Sequence, residues 1–105
     1  MALPQKAVRL HPDARAELQD SVTFYRTCGG EMLAVRFKHV VERGLRAIAE
    51  QPERYGPVRD FPQARRIRLD PFPFSIIYVD RESYIWVVAI AHGRRRPGYW
   101  TERLA

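Results

Sequence analysis

At 105 residues the chain suits one compact domain and is too short for two ordinary ones, so residues 1–105 are read as a single unit. An apolar share of 46% with 11% aromatic residues argues against disorder, and Cys28, the single cysteine, excludes an intrachain disulfide and any multi-cysteine zinc site. The formal charge is +6, and all the basic residues are arginine except Lys6 and Lys38, which makes phosphate- or carboxylate-bearing partners the leading class. From Pro57 onward nine arginines face five acids, so the excess sits in the second half. The opening MALPQKAVRL has no apolar run of signal-peptide length, and no window approaches the eighteen or so apolar residues of a membrane span. The expectation is a cytoplasmic protein without export or membrane signals.

The segment Lys6 to His11 alternates, with Val8 and Leu10 on one side, and reads as a short strand that His11-Pro12 ends. Pro12 fits the first position of a helix. Between Asp13 and Thr27, Ala14, Leu18, Val22 and Tyr25 keep helical spacing, and Gly29-Gly30 stops that helix and turns the chain. From Glu31 to Gln51 a second stripe runs through Leu33, Phe37, Val40 or Val41, Gly44 and Ile48, and Pro52 closes it. A glycine at position 44 costs about 1 kcal/mol against alanine, and close approach by the first helix is the expected reason for it. The pair reads as a helical hairpin.

At Ala64 the period changes to two. Arg66 and Arg68 alternate with Ile67 and Leu69, which predicts a strand with one basic and one apolar face, Arg65 lying on the apolar side near the strand's start. Asp70-Pro71-Phe72-Pro73 reads as a turn. Phe74–Val79 and Tyr84–Ala91 are nearly continuous apolar runs joined by a loop of hairpin length, and they predict strands buried on both faces. The predicted fold is α+β, order βααβββ, with an antiparallel sheet of three to four strands and the helical hairpin packed on one face. Arg96–Ala105 is left as a short helix or an irregular tail, with Tyr99 and Trp100 packing on the sheet. Phe24, Tyr25, Phe37 and Tyr78 are expected in the core.

The segments HPDARAEL with Tyr25, RFKHVVERGLRAI followed by Pro52 and Tyr55, RRIRLDPFPFSIIY, and IWVVAIAHGRRRPGYW with Arg103 occur in an order and spacing that resemble the RelE/ParE family of toxins from type II toxin-antitoxin pairs, including plasmid stabilisation toxins. The likeness covers almost the whole chain. It implies a small α+β bacterial toxin that inhibits growth when free, is neutralised by a cognate antitoxin in a hetero-oligomer, and needs no cofactor. The implied target is DNA gyrase in one branch and ribosome-bound messenger RNA, cut by an endoribonuclease, in the other. A degenerate, non-toxic member that only binds its antitoxin is a third reading.

A ribonuclease of that kind needs a base for the 2′-hydroxyl, a cation at the phosphate and an acid for the leaving oxygen. The candidates are His92 as base or acid, Arg68 at the phosphate by position in the family, and Tyr99 as acid. Arg68 and His92 work together only if their side chains share a face. Arg65, Arg66, Arg94, Arg95 and Arg96 are the candidate surface for nucleic acid or a protein partner, against the plain alternative of solvated arginines. His11 and His39 are isolated and imply no metal site.

Overall fold

The computed structural model describes Lys6 to Ala105. In chain order it contains β1 (Ala7–Leu10), a helical element α1 (Pro12–Glu50), β2 (Pro57–Val58), β3 (Phe61–Arg68), β4 (Phe74–Asp80), β5 (Tyr84–His92) and a closing 3-10 turn over Thr101–Leu104. All the strands form one sheet in the order β1-β5-β4-β3-β2. The expected antiparallel sheet of three to four strands is therefore corrected to a mixed sheet of five. Strand β1 runs parallel to β5, Leu10 beside Val87, because the whole of α1 intervenes and frees it from hairpin geometry. Strand β2 is two residues long, too short to leave an alternating pattern in the sequence.

The helical region differs from the expected hairpin of two separate helices. Helix runs as one element from Pro12 to Glu50, with no loop between its limbs, and the break is confined to Gly30 at φ 84° and ψ 177°. A straight helix of 39 residues would be about 58 Å long, whereas the longest dimension of the molecule is 39 Å, so α1 cannot be straight. Tyr25 and Phe37 lie twelve positions apart, about 18 Å along an unbroken helix, yet their ring centroids are 4.9 Å apart. The φ and ψ at Gly30 belong to a region that is essentially reserved for glycine.

The face of the sheet under α1 carries the main core. Phe37, Val41 and Ile48 from the second limb meet Leu69, Ile76, Tyr78, Ile85, Val87 and Ile90, while Leu18, Val22 and Tyr25 of the first limb pack alongside. Gly44 is explained by the sheet and not by the first limb: a Cβ there would stand 2.9 Å from both Ile76 Cδ1 and Leu69 Cδ2. Phe24 departs from its expected core position, being 58% exposed. Its neighbour Tyr25 takes the inward place on the helix, with its ring 5.0 Å from that of Phe72. The Tyr78 hydroxyl crosses the core to donate to the Pro52 carbonyl at 2.7 Å, which fixes the chain as it leaves α1.

The opposite face is also covered. Ala64, Ile77, Val88, Ala89 and Trp100 form a second buried cluster, with Phe61, Trp86 and Leu104 packed around it. A register shift between Ile77 and Tyr78 places Ile77 beside Ala89 and Tyr78 beside Val87, so Val88 is the extra residue of a bulge in β5. Both Val88 and Ala89 can then serve this second core. Replacing Gly30 by alanine introduces no steric contact, since nothing lies within 4 Å of the added Cβ, and tests backbone conformation alone. We expect Gly30→Ala to lose about 1–3 kcal/mol in urea unfolding, and Gly56→Ala, equally uncrowded and without a positive φ, to stay within about 0.5 kcal/mol.

Candidate functional site

Strand β5 outruns its neighbour. His11 N–H donates to the Val87 carbonyl at 2.8 Å, Pro12 starts the helix, and the rest of β5 is left without a strand on its β1 side, while β4 continues along the other. Side chains from α1 and the tail take over the ladder's work there. The Val88 carbonyl accepts from Arg103 Nη1 at 3.0 Å, and Ile90 N–H donates to Glu17 Oε1 at 3.0 Å. Glu17 Oε1 also accepts from Arg103 Nη1 at 3.0 Å, while its Oε2 accepts from the Tyr99 hydroxyl at 2.8 Å. The two charged side chains are only 16% and 14% exposed, and Asp13 Oδ2 lies 3.7 Å from Arg103 Nε. Among the described residues no buried side-chain nitrogen or oxygen lacks a partner.

This junction holds the tail on the sheet. Tyr99 lies between two guanidinium groups, Arg95 at 3.9 Å and Arg103 at 5.1 Å from its ring centroid. Trp100 is 3% exposed and meets Phe61 edge to face at 5.2 Å. Trp86 Nε1 donates to the Arg103 carbonyl at 2.9 Å, and Arg81 donates to the Leu104 carbonyl. Burial first, then the hydrogen bond and charge of Glu17, push the Tyr99 phenol well above its ordinary range. For Arg103, burial works against the cation, but the hydrogen bond to Glu17 and its charge prevail and raise its pKa.

Arg66, Ser75, His92, Arg95, Arg96 and Tyr99 line a cleft of about 150 Å³ beside the tail, and no carboxylate borders it. His92 ends β5 opposite Phe74, and the two rings meet edge to face at 5.0 Å. Its Nδ1 accepts from Arg94 N–H at 3.0 Å. An imidazole nitrogen that accepts is unprotonated, so the neutral ring carries its proton on Nε2 and offers a donor to anything bound there.

Arg68 does not join His92. Its register partner is Ser75, which in turn pairs with Ala91, whereas His92 pairs with Phe74. Successive residues of a strand point to opposite faces, so Arg68 and His92 project from opposite faces of the sheet with β4 between them. Arg68 is 70% exposed and stands 3.7 Å from Asp70. Arg66 shares the face of Arg68 but reaches the cleft. Arg65 is a structural residue: its Nη1 donates to the carbonyls of Tyr55 at 2.6 Å and Glu53 at 3.2 Å, tying β3 to the segment after α1. Arg94 and Arg96 are exposed, and Arg95 is exposed while stacked on Tyr99.

The sequence reading missed Glu17 and Arg103 as a pair. The spacing of Asp13 and Glu17 puts two carboxylates on one side of the first helical turns, a signal for a cationic partner, but that partner lies 86 residues away. Among the described residues no group of three His, Cys, Asp or Glu side chains could hold a metal ion, and no helix is long and apolar enough to cross a membrane.

Residues 8–97 match the family described as "ParE toxin of type II toxin-antitoxin system, parDE". Among solved structures the fold resembles a chain from "Chromosomal ParDE TA system from P. aeruginosa", with a TM-score of 0.74 at 17% identity over 84% of this chain and 96% of that one. No curated protein sequence matches the chain.

Glu17→Ala removes the acceptor of three donors, and we expect a loss of about 2–4 kcal/mol in urea unfolding together with a Trp100 emission that shifts to the red. Asp20→Ala, on the exposed side of the same helix, is expected to stay within about 0.5 kcal/mol. Alkali offers a second check. Burial raises the Tyr25 phenol, pushes Tyr78 up to about 12, and raises Tyr99 further. A folded-state pKa above the unfolded value of about 10 means stability that is complete below pH 10 and falls as pH rises toward 12. Absorbance at the tyrosinate band should therefore show Tyr78 and Tyr99 silent until the chain unfolds.

Proposed function

Because the chain belongs to the ParE toxin family of type II toxin-antitoxin systems, we propose that it is the toxin of such a pair and stops growth by binding DNA gyrase, without chemistry of its own. The observation that carries this reading is that the groups RNA cleavage would require are either parted from one another or already engaged in other bonds. Arg68 and His92 point from opposite faces, the Tyr99 proton is held by Glu17, and His92 presents a donor where a base is needed. Beside His92 and Tyr99 the cleft holds a cluster of cations, Arg66, Arg95 and Arg96, with no bordering carboxylate. Such a cluster suits a binding surface for phosphate or for an acidic protein face.

On this reading the free protein blocks gyrase through the basic cleft and its tail rim in the cytoplasm, and a cognate antitoxin restores growth by forming a hetero-oligomer with it. The strength of inhibition should fall with salt, since added ions screen the attraction between exposed arginines and an acidic protein face.

Purified protein is expected to inhibit gyrase supercoiling and to leave messenger RNA uncut by primer extension after induction. The double variant Arg95→Glu with Arg96→Glu should lose at least about tenfold in inhibition. His92→Gln should change it by less than about tenfold, whereas loss of an essential general base costs ~10²–10⁴. Normal supercoiling at excess toxin, or cleavage within codons that His92→Gln abolishes, would overturn the proposal.

A further inference from the structure

Phe24 is 58% exposed and belongs to neither hydrophobic core, yet its ring does not stand alone. With Asp20, Ser21, Tyr25, Phe74 and His92 it lines a hollow of about 300 Å³ between the first limb of α1 and the paired ends of β4 and β5. Four of these six side chains are aromatic, and they follow one another around the wall. Ring centroids are 5.4 Å apart from Phe24 to Tyr25, 6.2 Å from Tyr25 to Phe74 and 5.0 Å from Phe74 to His92. Successive rings are inclined by 73°, 64° and 83°. Walls set so steeply surround a compact group and leave no parallel slot for a flat one.

The charge on this wall selects among occupants. Asp20 is its one carboxylate, and no arginine or lysine borders it. Asp13 and Glu17, the other acids of the first limb, both face Arg103, whereas among the described residues no cation stands within ion-pair distance of Asp20. His92, whose Nδ1 accepts from Arg94 N–H, faces the hollow as a neutral ring. An anion would meet Asp20. An uncharged apolar molecule would use the rings and strip water from the carboxylate without return. A nucleobase or a guanidinium is flat and finds no parallel pair of rings to enter. A quaternary ammonium is rounded and positive and has no N–H that needs an acceptor, so ring faces and one nearby carboxylate satisfy it.

We infer that the hollow between Phe24 and His92 binds a fully methylated ammonium group, of the kind carried by choline or by trimethylated lysine. His92 borders this hollow and the basic cleft alike, so a bound cation sits at the edge of the cleft. Two sites of opposite charge preference then share one end of the sheet. The inference does not depend on gyrase being the target.

The test is a titration of choline chloride into the ¹⁵N-labelled full chain, against sodium chloride at the same ionic strength. Amide shifts should cluster at Asp20–Tyr25, Phe74 and His92 and saturate with a Kd of about 1 mM or below, as suits so small a ligand. Phe24→Ala and Asp20→Asn, both at exposed positions, should each weaken binding at least about tenfold. Phe24→Tyr keeps the ring and should retain binding, and Met32→Ala on the second limb should leave it unchanged. The uncharged isostere 3,3-dimethylbutanol should bind at least about tenfold more weakly than choline. A short peptide with trimethylated lysine, compared with the same peptide carrying unmodified lysine, separates the two sources. Tighter binding of the methylated peptide than of choline assigns the group to a protein side chain, and the reverse assigns it to a small molecule. The inference is overturned if neither ammonium probe shifts these amides or if the shifts centre on Gly93–Tyr99. It is overturned as well if the uncharged isostere binds as well as choline, or if either Phe24→Ala or Asp20→Asn binds as tightly as the unmodified chain.

Discussion

One carboxylate joins the parts of the molecule that chain order keeps apart. Glu17 belongs to the first limb of α1, and it takes hydrogen bonds from the backbone of β5, the Tyr99 hydroxyl and the Arg103 guanidinium. Strand β1 ends at Leu10 because a proline and a helix follow, so the outer half of β5 would otherwise expose backbone groups to the interior. Glu17 and Arg103 supply one acceptor and one donor at that edge and neutralise each other in a place where little water reaches. The tail's position, and with it the shape of the basic cleft, follows from this arrangement.

Covering both faces of the sheet has a functional consequence. The helical element takes one face and the tail takes the other, so β4 and β5 are apolar almost throughout and reactive side chains can emerge only at the strand ends. His92 and the arginines after it stand at such an end. Because the strand's pleat sends His92 toward Phe74 and Arg68 away from it, these two side chains do not meet across the sheet.

Much of the fold could be read before any coordinates were known. The stripe Phe37, Val41, Ile48 and the alternation around Ile67 and Leu69 reflect burial directly, and both runs of β4 and β5 are buried as their composition implied. The glycine pair was legible as a reversal, although the helix continues through Gly29 and breaks only at Gly30. Phe24 and Gly44 were misread for a common reason. Spacing assigns a residue to a side of a helix, but the neighbour it meets there depends on the bend at Gly30 and on how the sheet sits beneath.

By itself the sequence determined the class of fold, the order of most elements, the basic character of the second half and the likeness to a toxin family, because those properties are carried by neighbours a few residues apart. The tertiary structure alone decided that β1 lies parallel to β5, that Arg68 and His92 part company across the sheet, that Arg65 ties the backbone, and that Glu17 meets Tyr99 and Arg103 more than eighty residues away. Register and pairing depend on contacts distant along the chain. A one-residue shift in register reverses every side chain's face while leaving the local pattern unchanged. The arginines and the histidine of Ala91–Trp100 were visible as letters, and their division between a cleft, a stacked tyrosine and a tail anchored at Arg103 came from folding.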